Sequence, residues 1–147
     1  MNSSTLSFFI ICHLGVEWHN IIGIMVFTNR ELAAILRLAH AVANADGRVT
    51  NDEQKIIANE LVRFGVDSKK FDVISGLTAN MVNGEACQIV SKMTSEEKRY
   101  VAAYLGTMVV ADRNIEDSEM KLWSLISALC DLPTMSLMEA VKIMASL

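Results

Sequence analysis

The chain contains a long internal repeat. Residues Thr28–Val66 align without gaps on Thr94–Leu132, at an offset of 66 positions (94 − 28 = 66). The identical pairs are Thr28/Thr94, Glu31/Glu97, Ala45/Ala111, Asp46/Asp112, Glu53/Glu119 and Lys55/Lys121, and apolar positions coincide from Ile35/Val101 to Ile57/Trp123. Such repetition indicates one supersecondary unit used twice. Each copy has the pattern of a helix, a short acidic turn and a second helix.

Short T-x-x-E motifs predict where the helices of the repeat begin. These motifs are Thr28–Glu31, Thr50–Glu53 and Thr94–Glu97. In such a capping box the threonine hydroxyl and the glutamate carboxylate bond backbone N–H groups that lack partners in the first helical turn. Apolar residues follow each box at i, i+3 and i+4 spacing, which is the pattern of a helix with one buried face.

The rest of the chain completes an all-α prediction. The predicted elements are a helix over Ser68–Met81 capped by Asp67, a turn at Asn83-Gly84, a short helix through Val90, a break at Pro133 and a last helix over Thr134–Leu147, whose Leu137, Val141 and Met144 face inward. Strong helix formers are plentiful and no segment has the pattern of a strand. We therefore predict a single compact domain of about seven helices.

Composition excludes several classes of function. The net charge of −4 and the pI near 5.3 leave no basic stripe for nucleic acid, so cations or an unidentified protein partner are expected. The cysteines, Cys12, Cys87 and Cys130, have no C-x-x-C spacing and are predicted to be buried free thiols. His40 is expected in helix packing and no nucleophile lies in a recognisable motif, which predicts a non-enzymatic protein. We also expect a cytoplasmic protein, since the cysteines form no disulfide framework.

Residues 1–24 form an apolar N-terminal extension for which three interpretations remain. The extension has no Lys or Arg before its apolar run, unlike a secretory signal, and its polar residues leave no apolar window of about 18 residues to span a bilayer. The favoured interpretation is a mis-assigned start, with translation beginning at Met25, because a helix start follows at once. The others are a peripheral anchor at the inner face of the membrane and an additional helix packed on the predicted domain, residues 25–147.

The two acidic turns carry the candidate chemistry. They read ADGRVTNDE and ADRNIEDSE, and share the pattern A-D-x-x-[VI]-x-x-x-E. This matches the second half of an EF-hand loop, but both copies lack the acid at the first loop position, which excludes two separate EF-hands. If the helix pairs pack about a pseudo-twofold axis, Asp46, Glu53, Asp112 and Glu119 can converge on a hard cation such as Ca²⁺ or Mg²⁺. Alternatively, these acids only cap helices.

With its two acidic motifs about 66 residues apart in an all-helical setting, the chain resembles the TerB family of tellurite-resistance-associated proteins and the related N-terminal domain of the DjlA co-chaperone. The resemblance covers about Met25 to Leu147. It implies a compact helical fold, a role in tellurite or related stress resistance, often near the membrane, and a divalent-cation site. The implied ligands are Asp46, Glu53, Asp112 and Glu119. The sequence departs from the family pattern at Arg113, which replaces the glycine of the first motif.

Overall fold

Seven helices form the secondary structure in the part of the chain that the computed structural model describes, residues 25–45, 47–111, 115 and 117–147. They are α1 (Asn29–Ala43), α2 (Asn51–Arg63), α3 (Ser68–Asn80), α4 (Asn83–Ser91), α5 (Ser95–Val110), α6 (Asp117–Leu129) and α7 (Leu137–Ala145). These ranges contain no strand, which confirms the all-α prediction.

The helices of the repeat begin where the capping motifs predict. At α1 the Glu31 N–H donates to Thr28 Oγ1 at 3.1 Å, and the Thr28 N–H donates to Glu31 Oε1 at 2.9 Å. The same pair of bonds opens α5 at Thr94. Asp67 caps α3 as predicted, because its carboxylate accepts the Lys70 N–H at 2.8 Å. Short-range hydrogen bonds therefore set these boundaries, and short-range signals can be read from sequence.

The starts of two helices differ from the prediction. Asn83 and Gly84 are the first residues of α4 and not a turn, since the link from α3 is the extended pair Met81 and Val82. The last helix begins at Leu137, three residues after the predicted Thr134, because a further capping box at Ser136 sets its start. The predicted inward position of Val141 is wrong: its side chain is 41% exposed, and Ala140 is the buried residue of this helix.

The core lies around α1 and α5, which pack against each other. Their buried residues include the unbroken runs Leu32–Leu36 and Tyr100–Gly106, which cover every side of a helix, as expected for helices surrounded by protein. α2 and α3 pack on α1, while α6 and α7 pack on α5. The duplication therefore extends to three helices, in a first half (α1–α3) and a second half (α5–α7), with α4 between them.

The second helices of the two halves end in the same way. α2 and α6 have identical bounds at the offset of 66, and each is followed by a residue in the left-handed conformation, Gly65 at φ +70° and Asp131 at φ +53°. In both places the next N–H reaches back to close a Schellman motif, from Val66 to Leu61 O at 3.1 Å and from Leu132 to Ser127 O at 2.8 Å. The two halves thus share the same backbone conformation at this position, although one has glycine and the other aspartate.

One glycine allows close packing in the second half. A Cβ added to Gly106 of α5 would lie 2.8 Å from the Cβ of Ala140 in α7 and 2.9 Å from Cζ2 of Trp123 in α6. A side chain at this position would therefore force the helices apart. Trp123 fills the space between α5 and α6, and its Nε1–H donates to the Ala102 carbonyl at 3.2 Å.

Candidate functional site

The acidic motifs place one buried glutamate in each half. Glu53 is the third residue of α2 and Glu119 the third residue of α6, and each is only 1% exposed. Oε2 of Glu53 and both carboxylate oxygens of Glu119 are themselves buried. Glutamate is almost never fully buried unless an opposite charge or hydrogen-bond donors compensate the loss of water. Burial at two equivalent positions therefore calls for a common explanation.

Capping of the helix start does not account for the buried carboxylate of Glu53. Glutamates that close capping boxes stay near solvent in this protein, since Glu31 and Glu97 are half-buried and Glu139 is exposed. At α2 the cap is the Thr50 hydroxyl, which accepts the Glu53 N–H at 3.2 Å. The backbone of Glu53 thus takes part in the cap, while its carboxylate lies in the interior.

The two aspartates of the predicted site, Asp46 and Asp112, lie outside the described residues, and so does Arg113 of the second turn. Gly47, the counterpart of Arg113, adopts φ +85°, so the first turn uses a conformation that favours glycine. Within the described ranges, no three His, Cys, Asp or Glu side chains come together as ligands for a metal ion. The structure therefore gives the positions of Glu53 and Glu119 and leaves the four-acid site a prediction.

A third buried acid, which sequence reasoning missed, joins the two halves. Tyr100 Oη of α5 donates to Glu60 Oε2 of α2 at 2.5 Å, and Glu60 is 8% exposed. Burial, followed by the negative charge of Glu60, raises the pKa of Tyr100, so the phenol keeps its proton and remains a donor. The available signal was the spacing of Glu60, three residues after the buried Ile57 and one before Leu61.

An open cleft of about 620 Å³ lies between the three helices of the first half, and we call it the α1–α3 cleft. It is lined from α1 by Leu36, Arg37 and His40, from α2 by Gln54, Ile57, Ala58, Leu61 and Val62, and from the following segment and α3 by Val66, Asp67, Ser68, Phe71, Ser75, Thr78 and Ala79. Neither Glu53 nor Glu119 lines it. His40, expected in helix packing, is exposed at this cleft. The side of the ring that lies against the protein is partly desolvated, and this desolvation together with the charge of Arg37 lowers the pKa of His40.

The cysteines behave as predicted where they are described. Cys87 and Cys130 are free and buried, which confirms the prediction for these two, while Cys12 lies outside the described residues. Burial and a hydrogen bond with Cys87 raise the pKa of the Cys130 thiol. A thiol in such surroundings is a poor nucleophile and a poor metal ligand.

These features define an all-α protein built from a duplicated three-helix unit, with one buried glutamate after each acidic turn. No family model and no curated protein matches the chain. The crystal structure of PG1108, a protein of unknown function from Porphyromonas gingivalis W83, matches it with a TM-score of 0.73 and 38% sequence identity, covering 84% of this chain and 100% of that one. The chain belongs to the same family as PG1108. None of the helices in the described ranges is long and apolar enough to cross a membrane.

Proposed function

We propose that this protein is a non-enzymatic, TerB-like module of a cytoplasmic stress response and that its two acidic turns bind one divalent cation, Ca²⁺ or Mg²⁺. The ligands would be Asp46, Glu53, Asp112 and Glu119. The observation that carries the proposal is the burial of Glu53 and Glu119, each 1% exposed at the same position of the two halves. The connection with tellurite resistance rests on the family resemblance of the motifs.

Buried carboxylates at paired positions suit a hard cation. Ca²⁺ and Mg²⁺ take oxygen ligands, and carboxylates supply both the oxygens and the compensating charge. A bound cation would also compensate part of the cost of removing two negative charges from water. An aspartate at the start of each turn and a glutamate at the start of each following helix would then form one shared site, instead of two EF-hands.

The alternative is an interaction domain that resembles the DjlA N-terminal region, in which the acids only cap helices and a partner protein binds elsewhere. The Thr50 cap at the Glu53 N–H agrees with a capping role for the backbone of that residue. The cation proposal is preferred because the glutamates that do close capping boxes remain half-buried or exposed.

The test is thermal unfolding of the full chain, stripped with a chelator and then titrated separately with Ca²⁺ and Mg²⁺. A single site stabilises the folded state by about 2.7 kcal/mol when the free cation is at about 100 times its dissociation constant. For a chain of this size that corresponds to a rise in Tm of roughly 5–10 °C. The double variant Glu53→Gln/Glu119→Gln should lose this rise.

The matched control is Glu31→Gln/Glu97→Gln, which makes the same chemical change at the two capping boxes. This control is expected to lower the baseline Tm slightly and to keep the full cation response. The proposal fails if neither cation raises the Tm of the wild type, or if the Glu53/Glu119 variant responds as strongly as the control.

A further inference from the structure

The α1–α3 cleft has the size and lining of a binding site. Its volume of about 620 Å³ falls within the range of about 300–1,000 Å³ that is usual for ligand pockets. Leu36, Ile57 and Leu61 are buried core residues that also face the cleft, so its floor is apolar. Along its edges apolar side chains meet solvent, with Val62 73% exposed and Phe71 45% exposed. Contiguous exposed apolar surface of this kind marks interaction sites.

The duplicated scaffold does not require such an opening. In the second half, the counterpart of Ile57 is Trp123, whose indole is in contact with α5, and the counterpart of His40 is Gly106, against which α7 packs closely. The same three-helix unit can therefore pack its helices closely, as the second half does. Because closing the first half would bury further apolar surface, the opening reduces stability and indicates a use.

The two ends of the α1–α3 cleft differ in charge. Arg37 Nε donates to Oδ1 of Asn83 at 2.9 Å, and Asn83 begins α4 directly after α3, so Arg37 stands where α3 ends. Among the described residues no carboxylate lies within 4.0 Å of the Arg37 guanidinium. Asp67 stands at the opposite end, where its carboxylate caps α3. Among the described residues, the cleft therefore has a cationic side chain without a carboxylate partner at the Arg37 end and a carboxylate at the Asp67 end.

We propose that the α1–α3 cleft binds an amphipathic helix of a partner protein, with apolar side chains at i, i+3 or i+4 and i+7 in the cleft and a carboxylate opposite Arg37. Helix-in-groove recognition uses such spaced anchors. A helix fits better than a small amphiphile because the cleft is open along edges that include Val62 and Phe71, whereas small ligands are usually buried by about 70–90%. This inference does not depend on the cation site.

The experiment is a selection of displayed helical peptides with randomised faces on the immobilised full-length protein. The enriched sequences should share apolar residues at the stated spacing and an acidic position. Synthetic, fluorescein-labelled versions of them are then titrated by fluorescence anisotropy. Ala58→Trp, which fills the cleft from an exposed position on α2, should weaken binding at least tenfold, and Arg37→Glu should weaken it about tenfold.

The control is Lys121→Glu, which makes the same charge change on an exposed part of α6 and should leave the affinity unchanged. The Tm of each variant is measured to show that the protein remains folded. Equal affinity for wild type and Ala58→Trp would overturn the proposal, as would failure to enrich an acidic position or insensitivity to Arg37→Glu. Tighter binding of dodecanoate than of every peptide, or self-association that Ala58→Trp abolishes, would also overturn it by identifying another occupant.

Discussion

The two halves of the molecule share a backbone plan and differ in how tightly their helices close. In the second half Gly106 and Ala140 let α7 approach α5, and Trp123 fills the remaining space. The counterparts of Gly106 and Ala140 in the first half are the larger residues His40 and Ile74. Since helix separation depends on the side chains at the contact, these differences at three positions favour closer packing in the second half.

A polar link adds to this difference. Glu60 of the first half accepts a hydrogen bond from Tyr100 of the second half, whereas the counterparts of these residues are the apolar Ile126 and Ala34. Both pairs lie in the core, with Ile126 4% exposed and Ala34 fully buried. The polar pair between the halves thus corresponds, under the duplication, to two buried apolar residues. The duplication has diverged in its interior as well as at the α1–α3 cleft.

The largest effect on stability is expected from truncating Trp123, which fills the space between α5 and α6. Trp123→Ala should lower the free energy of unfolding by about 3–5 kcal/mol, because it leaves a closed cavity between α5 and α6. Ile57→Ala, at the equivalent position, should cost about 2 kcal/mol, since its side chain borders a cleft already open to water. Urea unfolding measures both losses, and a loss at Ile57 as large as that at Trp123 would contradict the comparison.

A smaller effect tests the close approach of the helices. Gly106→Ala should destabilise the fold by about 1–3 kcal/mol, because the added Cβ clashes with the Cβ of Ala140 and the Trp123 ring. Gly76→Ala is the matched control: Gly76 lies within α3 with no atom within 4 Å of an added Cβ, so alanine there should stabilise by about 0.5–1 kcal/mol. Changes of the same sign at the two glycines, in urea unfolding, would refute this account of the packing.

The polar link is tested by a double-mutant cycle. Tyr100→Phe should cost about 1–3 kcal/mol, because it leaves the buried Glu60 carboxylate without its donor. Adding Glu60→Ile, which introduces the residue found at position 126, should recover most of that loss, since an apolar pair of similar shape needs no hydrogen bond. Additive losses in the two single variants and the double variant would show that the bond contributes nothing specific.

The smallest effect concerns the matched ends of α2 and α6. Gly65→Asp should cost about 1 kcal/mol, because a side chain at φ +70° is strained. Asp131→Gly should relieve the same strain but remove the ion pair with Lys98, whose Nζ lies 2.9 Å from Oδ2. This pair is largely exposed on the Asp131 side, so the net gain should grow with ionic strength. A gain that shrinks in high salt would contradict this assignment.

Local chemistry decided how much could be predicted from the sequence. The starts of α1, α2 and α5 follow from Thr28, Thr50 and Thr94, whose caps involve residues only three positions away. The predicted start of α7 at Thr134 is wrong, although the sequence has an equivalent signal in Ser136 and Glu139. All-α class and duplication were predictable because both depend on periodic patterns along the chain.

The features that could not be predicted from the sequence depend on contacts between residues far apart along the chain. The spacing from Thr50 to Glu53 is the same for a capping glutamate and a buried one, so sequence alone could not separate the two. The α1–α3 cleft arises from side-chain sizes on three helices, and its edge residue His40 has the local pattern of a packing residue. The Glu60–Tyr100 bond joins residues 40 positions apart. The spacing of Glu60 along α2 signals its burial, but no short-range signal gives its partner, the cleft or the burial of Glu53.

The most direct test of the open and closed halves is methyl and indole NMR in the presence of a small, soluble nitroxide. We predict that the nitroxide attenuates the methyl signals of Ile57, Leu61 and Val62, which line the α1–α3 cleft, and leaves the Trp123 indole and Ala140 methyl signals unaffected. Equal attenuation in both halves, or protection of the Ile57 and Leu61 methyl groups to the level of Ala140, would contradict the account.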